Sequence, residues 1–219
     1  MTSDGSHSYV YDAENRVTSV DGSTATYSHD HRNWRVKKVV GSSITHYVWE
    51  AGRVLAEHNG ATGLRLWITY AWPEQWLQKC NQAAPQLLLS DRQSVRMTLD
   101  GRDNVTGRQA HLAFGEDLAE SGTQEKHHFT SYERDAESNQ DYAVNRFHNF
   151  NVGRFSSADR ASGSPANPQS WNRYSYGMND PVNRSDQPGL DDDELPFYEL
   201  SLDDILALVD GGGGGGGGD

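Results

Sequence analysis

Residues 9–20 read YVYDAENRVTSV, residues 27–40 read YSHDHRNWRVKKVV and residues 47–58 read YVWEAGRVLAEH. In each stretch two bulky residues stand two apart: Tyr9 with Tyr11, Tyr27 with His29, Tyr47 with Trp49. That spacing puts both on one face of a strand. Asp12, Asp30 or Glu50 then opens a polar turn, and a second alternating run follows. Asp, Asn and Gly tolerate the backbone angles that tight turns demand, so each stretch predicts a β-hairpin. Recurrence at about twenty residues predicts hairpins stacked edge to edge into a continuing antiparallel sheet.

The remaining composition agrees with strands and turns. Ten Tyr, six Trp and 22 Gly favour short strands over helices, while a hydrophobic share of 35% is thin for a compact core. A chain of 219 residues is the size of one domain or of part of a larger one. The formal charge is -12, but nine of the 31 acids and none of the 19 bases lie from Asp191 onward, so the body is nearly neutral. Phosphate backbones need a basic face, and the small cluster Arg32, Arg35, Lys37 and Lys38 does not supply one; nucleic acid is not an expected partner. Cys80 is the only cysteine, so no intrachain disulfide is expected. No apolar run approaches the length of a membrane span, and TSDGSHSYVYD after Met1 does not read as a signal peptide.

The three stretches resemble YD repeats, with Arg16 and Val17, Arg35 and Val36, and Arg53 and Val54 in the places of the repeat's Arg and aliphatic residue. Further on, SDRQSVRMTLDGRDNVTGR (residues 90–108) and AFGED (residues 113–117) are similar to the segments that precede the associated core of Rhs proteins. Residues 127–160, which include GRF, and residues 167–190, which include WNRYSY and NDPVN, resemble the Rhs repeat-associated core itself. The resemblance implies an all-β fold in which antiparallel hairpin repeats form an arc of a YD-repeat β-shell, with a short disordered or weakly helical acidic tail. It divides the chain into YD repeats and pre-core strands over residues 1–117, the core over 118–190 and a variable, acidic, Gly-rich tail over 191–219. Residues 66–89, with two prolines and none of the Asp and Gly turn chemistry, read as an irregular insertion or an eroded repeat.

The same resemblance assigns the candidate site. Asp159 and Asp186 fall where the Rhs core places the two aspartates of a self-cleaving aspartyl protease, Arg146 falls where it keeps an arginine, and the bond cut is the one after Leu190. Two carboxyls brought close cannot both ionise, so one stays protonated to polarise the carbonyl while the other activates water. The chain departs from the pattern at Arg160, where the family has Pro, at Asn149, where relatives often carry an acid, and at Gln187, which turns DPxGL into DQPGL. The competing reading is that Asp159 and Asp186 are turn residues, where Asp is favoured anyway. At most, then, the chain is a single-turnover aspartyl autoprotease. No cofactor is expected, and no metal: His29 and His31 read as sharing a strand face and His127 adjoins His128, but no CxxC or HExxH occurs and packing roles are expected instead. Ser156 and Ser157 lie outside any GxSxG elbow, so a nucleophilic hydrolase is unsupported.

In the tail, Ser201 with Asp204 makes a capping box, and Leu202, Ile205, Leu206 and Val209 give a helical stripe of about two turns before a run of glycines at 211–218. It reads as a flexible acidic linker or as the stub of an effector. The leading expectation is a shell component that encloses or presents a C-terminal polypeptide for toxin or effector delivery. Its partners would be the remainder of an Rhs shell or that effector, at a secreted or cell-surface location implied by the resemblance. The alternatives are a cell-surface adhesion module whose exposed Tyr and Trp bind carbohydrate or protein, and a displaced gene end with no function.

Overall fold

The hairpins form because each turn closes on itself. Strand β1 (Tyr9–Tyr11) is joined to β2 (Val17–Val20) by a loop in which Oδ1 of Asp12 accepts the amides of Glu14 and Arg16, each at 3.0 Å. Asn15 takes φ 65°, and the register shifts between Val10 and Tyr11. This is a type I turn followed by a left-handed residue, the usual chemistry of a three-residue hairpin loop. Strands β3 (Ala25–His29) and β4 (Arg35–Val40) repeat it: Oδ1 of Asp30 accepts the amides of Arg32 and Trp34 at 2.9 Å, and Asn33 takes φ 70°. His31 therefore belongs to the turn and not to the strand, so His29 and His31 do not share a strand face as the alternation suggested. Strands β5 (Ser43–Glu50) and β6 (Arg53–Asn59) close differently, through a two-residue turn with Ala51 at φ 48° and Gly52 at φ 79°. Two positive φ values match the right-handed strand twist.

The structure is a computed structural model and describes residues 2–72, 75–80, 86–91, 94–161, 163–186 and Gly189. The meander continues through β7 (Arg65–Trp72), β8 (Gln75–Cys80), β9 (Gln86–Asp91), β10 (Ser94–Leu99), β11 (Val105–His111) and β12 (Asp117–Gly122). Each strand pairs antiparallel with the next, giving one 12-stranded sheet among the described residues. Residues 66–89, expected to be irregular, carry three of these strands, with Trp67 opposite Cys80 and Leu77 opposite Leu87. Ladder pairing uses main-chain groups, so it survives the loss of the repeat's turn residues. The Asp turn returns at Asp100, whose Oδ1 accepts the amides of Arg102 at 2.8 Å and Asn104 at 2.9 Å, with Asp103 at φ 62°.

A second sheet, β13 (Glu133–Asp135), β14 (Gln140–Ala143), β15 (Arg146–Asn149) and β16 (Arg154–Phe155), docks on the first. Tyr142 and Phe147 of this sheet bury against Tyr9, Val17, Val20, Ala25 and Tyr27 of the repeats. A second core gathers Phe129, Tyr132, Ala143, Phe155 and Tyr176. Tyr9, Tyr27 and Tyr47, which an adhesion surface would expose, are buried, and Tyr11 and Trp49 pack against the first core.

Between the sheets lies a knot of charge. The Arg35 side chain is fully buried, with Asp135 at 2.5 Å, Glu133 at 3.0 Å and its guanidinium 4.0 Å from the Tyr142 ring centre. Lys38 reaches Asp135 at 2.5 Å and Glu137 at 3.0 Å, while Lys126 bridges Glu57 and Glu133. Burial alone would raise the Glu133 carboxyl, but Lys126, Arg35 and Lys38 together hold it well below the usual range; at Asp135 burial wins and the pKa is raised. Arg35 therefore ties the first sheet to the second, whereas Arg16, in the same place of its own hairpin, pairs with Asp12 and Glu14. No α-helix occurs among the described residues, and the fold is all-β and antiparallel.

Candidate functional site

Arg146 opens β15 directly after a tight turn from β14, in which Val144 takes φ 58° and Ala143 pairs with Arg146. The turn and the buried strand fix the base of a long side chain that runs across the second core. Its guanidinium lies 3.7 Å from the Phe155 ring centre, where a planar cation is favoured. From there Nη2 donates to Oδ2 of Asp159 at 2.8 Å and to Oδ2 of Asp186 at 2.9 Å. Both carboxylates touch one nitrogen, so their Oδ2 atoms are no more than about 6 Å apart, twice a hydrogen-bond length. Nε of Arg146 donates to the carbonyl of Gly189, and Nη1 donates to the carbonyl of Arg173 at 3.2 Å.

Asp159 and Asp186 are held from behind by backbone contacts. The Asp159 amide donates to the Arg173 carbonyl at 2.7 Å, the Arg173 guanidinium donates to the Asp159 carbonyl, and Oδ1 of Asp159 accepts the Ala161 amide at 2.8 Å. The Asp186 carbonyl accepts the Tyr132 hydroxyl and, at 3.3 Å, the Gly189 amide. Burial, with Asp186 nearby, pushes the Tyr132 phenol well above its ordinary range, so it stays a donor. All three expected residues thus meet at one buried point, joined through the guanidinium. Gly189 takes φ 64°, and a Cβ there would collide with the Ala143 carbonyl, so the chain approaching residue 190 runs tight against the end of β14. Gln187, Pro188, Leu190 and the tail lie outside the described residues.

Sequence reading did not single out Tyr132, Phe155 or Arg173 as neighbours of this site. Arg173 stands within WNRYSY and Phe155 within GRF, the motifs that carried the resemblance. Their roles in packing Arg146 depend on contacts between residues far apart in the chain. His148, unremarked in the sequence, is also buried there, with the rings of Phe155 and Tyr176 5.4 and 5.3 Å away.

A meander of Asp-turn hairpins with a smaller sheet docked on it defines an antiparallel β-shell segment, and solved proteins of that architecture resemble the chain. The crystal structure of TcdB2-TccC3 superposes with a TM-score of 0.65 at 15% identity, over 85% of this chain and 10% of that one. The Photorhabdus luminescens Tc holotoxin pore superposes with a TM-score of 0.65 at 14% identity, over 90% of this chain and 10% of that one. Among curated proteins, the tRNA3(Ser)-specific nuclease WapA of Bacillus spizizenii is 26% identical over 200 residues, 86% of this chain and 9% of the relative. The tRNA nuclease WapA of Bacillus subtilis strain 168 is 26% identical over 208 residues, again 86% and 9%. The chain therefore spans about a tenth of the length of the relatives it matches. No protein-family model matches it. At 14–15% identity, the likeness to the solved structures shows the fold, an all-β antiparallel architecture.

Proposed function

We propose that the chain is the closing end of an Rhs-type shell, that it encloses or presents the polypeptide following residue 190, and that Asp159, Asp186 and Arg146 sever that polypeptide once, after Leu190. The observation that carries the reading is the convergence of Arg146 on both carboxylates and on the carbonyl of Gly189, one residue before the bond. A guanidinium fixed on Phe155 positions the peptide relative to the carboxylates, which is the larger part of what a one-turnover site needs. One aspartate then activates water while its partner donates a proton to the departing amide. One solved relative is a Tc holotoxin pore by name, the WapA relatives are tRNA nucleases by name, and another solved relative is TcdB2-TccC3 without hypervariable C-terminal region, which fits a variable segment following the shell.

The boundary at residues 117/118 is part of this proposal, with the repeats as wall and residues 118–190 as the closing core. So is export to the cell surface or beyond; no helix among the described residues is long and apolar enough to cross a membrane. The neutral body argues that tRNA, the target of the WapA relatives, is not bound by this segment.

The test is the intact mass of the chain, expressed with as many upstream repeats as its gene context allows, beside Asp159→Asn and Asp186→Asn copies. Truncation at residue 190 in the parent and full length in both variants is expected. Truncation in all three would remove the aspartates from the chemistry.

A further inference from the structure

Away from Arg146, a second cluster stands at the junction of the two sheets. His111 ends β11 and Asp117 begins β12 opposite it, with a register shift between Ala110 and His111. His128 comes from the segment that leads into the second sheet and lies beside them, its ring 5.3 Å from that of His111. Nδ1 of His111 is 3.3 Å from Oδ1 of Asp117, and Nδ1 of His128 is 3.5 Å from the same oxygen. One donor atom from each of the three lies within 4.8 Å of the others. Both histidines are buried, yet neither nitrogen of His111 and not Nδ1 of His128 makes a hydrogen bond. Leaving a buried polar atom unsatisfied costs about 1–3 kcal/mol, so three of them at one point call for a ligand.

We propose that His111, His128 and Asp117 form a binding site for a divalent transition-metal ion of the zinc type, which staples the last strand of the meander to the docked sheet. Tetrahedral zinc at about 2.0–2.1 Å from nitrogen and oxygen holds neighbouring donor atoms roughly 3.3–3.4 Å apart. The two histidine-to-Asp117 separations, 3.3 and 3.5 Å, are close to that spacing, and the third lies within 4.8 Å. Oδ2 of Asp117 is occupied by Nη1 of Arg134 at 2.6 Å, which orients the carboxylate and leaves Oδ1 for the metal. Glu120, with Oε1 3.8 Å from Nδ1 of His128, is a further carboxylate beside the three. Such a staple would secure β12, all of whose residues are exposed.

The site is tested by titrating Zn²⁺ into the full chain in a calorimeter and Co²⁺ in a spectrophotometer, with His111→Gln, Asp117→Asn and the control His46→Gln on β5. Expected are one equivalent of zinc per chain, visible cobalt bands of a four-coordinate site, affinity lowered more than about tenfold in His111→Gln and Asp117→Asn, and no change in His46→Gln. Asp117 is partly exposed, so Asp117→Asn decides the matter if circular dichroism shows His111→Gln unfolded. Absence of saturable one-to-one binding, or affinity within twofold of the parent in Asp117→Asn, overturns the proposal.

Discussion

His148 is the residue at which pH acts most plainly on this protein. Its ring is fully enclosed by aromatic neighbours and neither nitrogen makes a hydrogen bond. Burial, helped by Arg134 and Arg146, lowers its pKa to about 3. In the unfolded chain the value is about 6.5. Between those values the unfolded state binds a proton that the folded state does not, so this contribution to stability is present near neutrality and is lost as pH falls through the window. From pH 6.5 to 4.5 the loss is roughly 2–3 kcal/mol. Urea midpoints at the two pH values should converge in His148→Phe; an unchanged gap would mean that other groups carry the acid sensitivity. At Arg146 the expectation is of another kind. Arg146→Met removes the cation shared by two buried carboxylates and should destabilise the fold by about 3–5 kcal/mol, read from the same urea curves.

At the scale of the element, the Asp turns should behave alike wherever they occur. Asp100→Ala removes a carboxylate that accepts two amides and should lower the unfolding temperature. Asp103→Gly relieves a left-handed residue and should be neutral or stabilising by up to about 1 kcal/mol, whereas Asp103→Val should destabilise. Thermal unfolding of the three variants checks both signs. These turns were the most legible part of the sequence, because Asp and Asn report local backbone demands that need no distant partner. The turn at Asp100 was passed over as a repeat, since TLDGRDNV lacks the aromatic pair that marked the other copies. Strand pairing through residues 66–89 was not legible either. Main-chain ladders leave little trace in side chains once the turn residues are gone, and alternation there is weak. Asp159, Asp186 and Arg146 were read from resemblance alone, and no local pattern announces that they meet. His128 was read as a packing residue and His111 and Asp117 were not singled out, because their proximity is created by a ladder register and a docked sheet, not by a ligand spacing such as HExxH.

For the whole molecule, the decisive feature is that two sheets are joined by buried charge as well as by aromatic packing. Arg35 carries this role, with a fully buried guanidinium facing Glu133 and Asp135. Arg35→Met should cost about 3–5 kcal/mol by removing the buried guanidinium and leaving Glu133 and Asp135 to Lys126 and Lys38 alone. Loss of tertiary signal with strand content retained, compared by near- and far-UV circular dichroism, would place the damage at the junction of the sheets. The second sheet presents β15 and the loop after β16 to one another, which brings Arg146 to Asp159. Cleavage of the bond after Leu190 by Asp159, Asp186 and Arg146 is the central proposal. N-terminal sequencing of the fragment released from the chain, expressed with as many upstream repeats as its gene context allows, tests that directly. A new terminus reading DDDELPFYEL, absent from the Asp159→Asn copy, is the predicted result. A chain that remains whole, or is cut elsewhere, would contradict it and leave the convergence of Arg146, Asp159 and Asp186 as architecture.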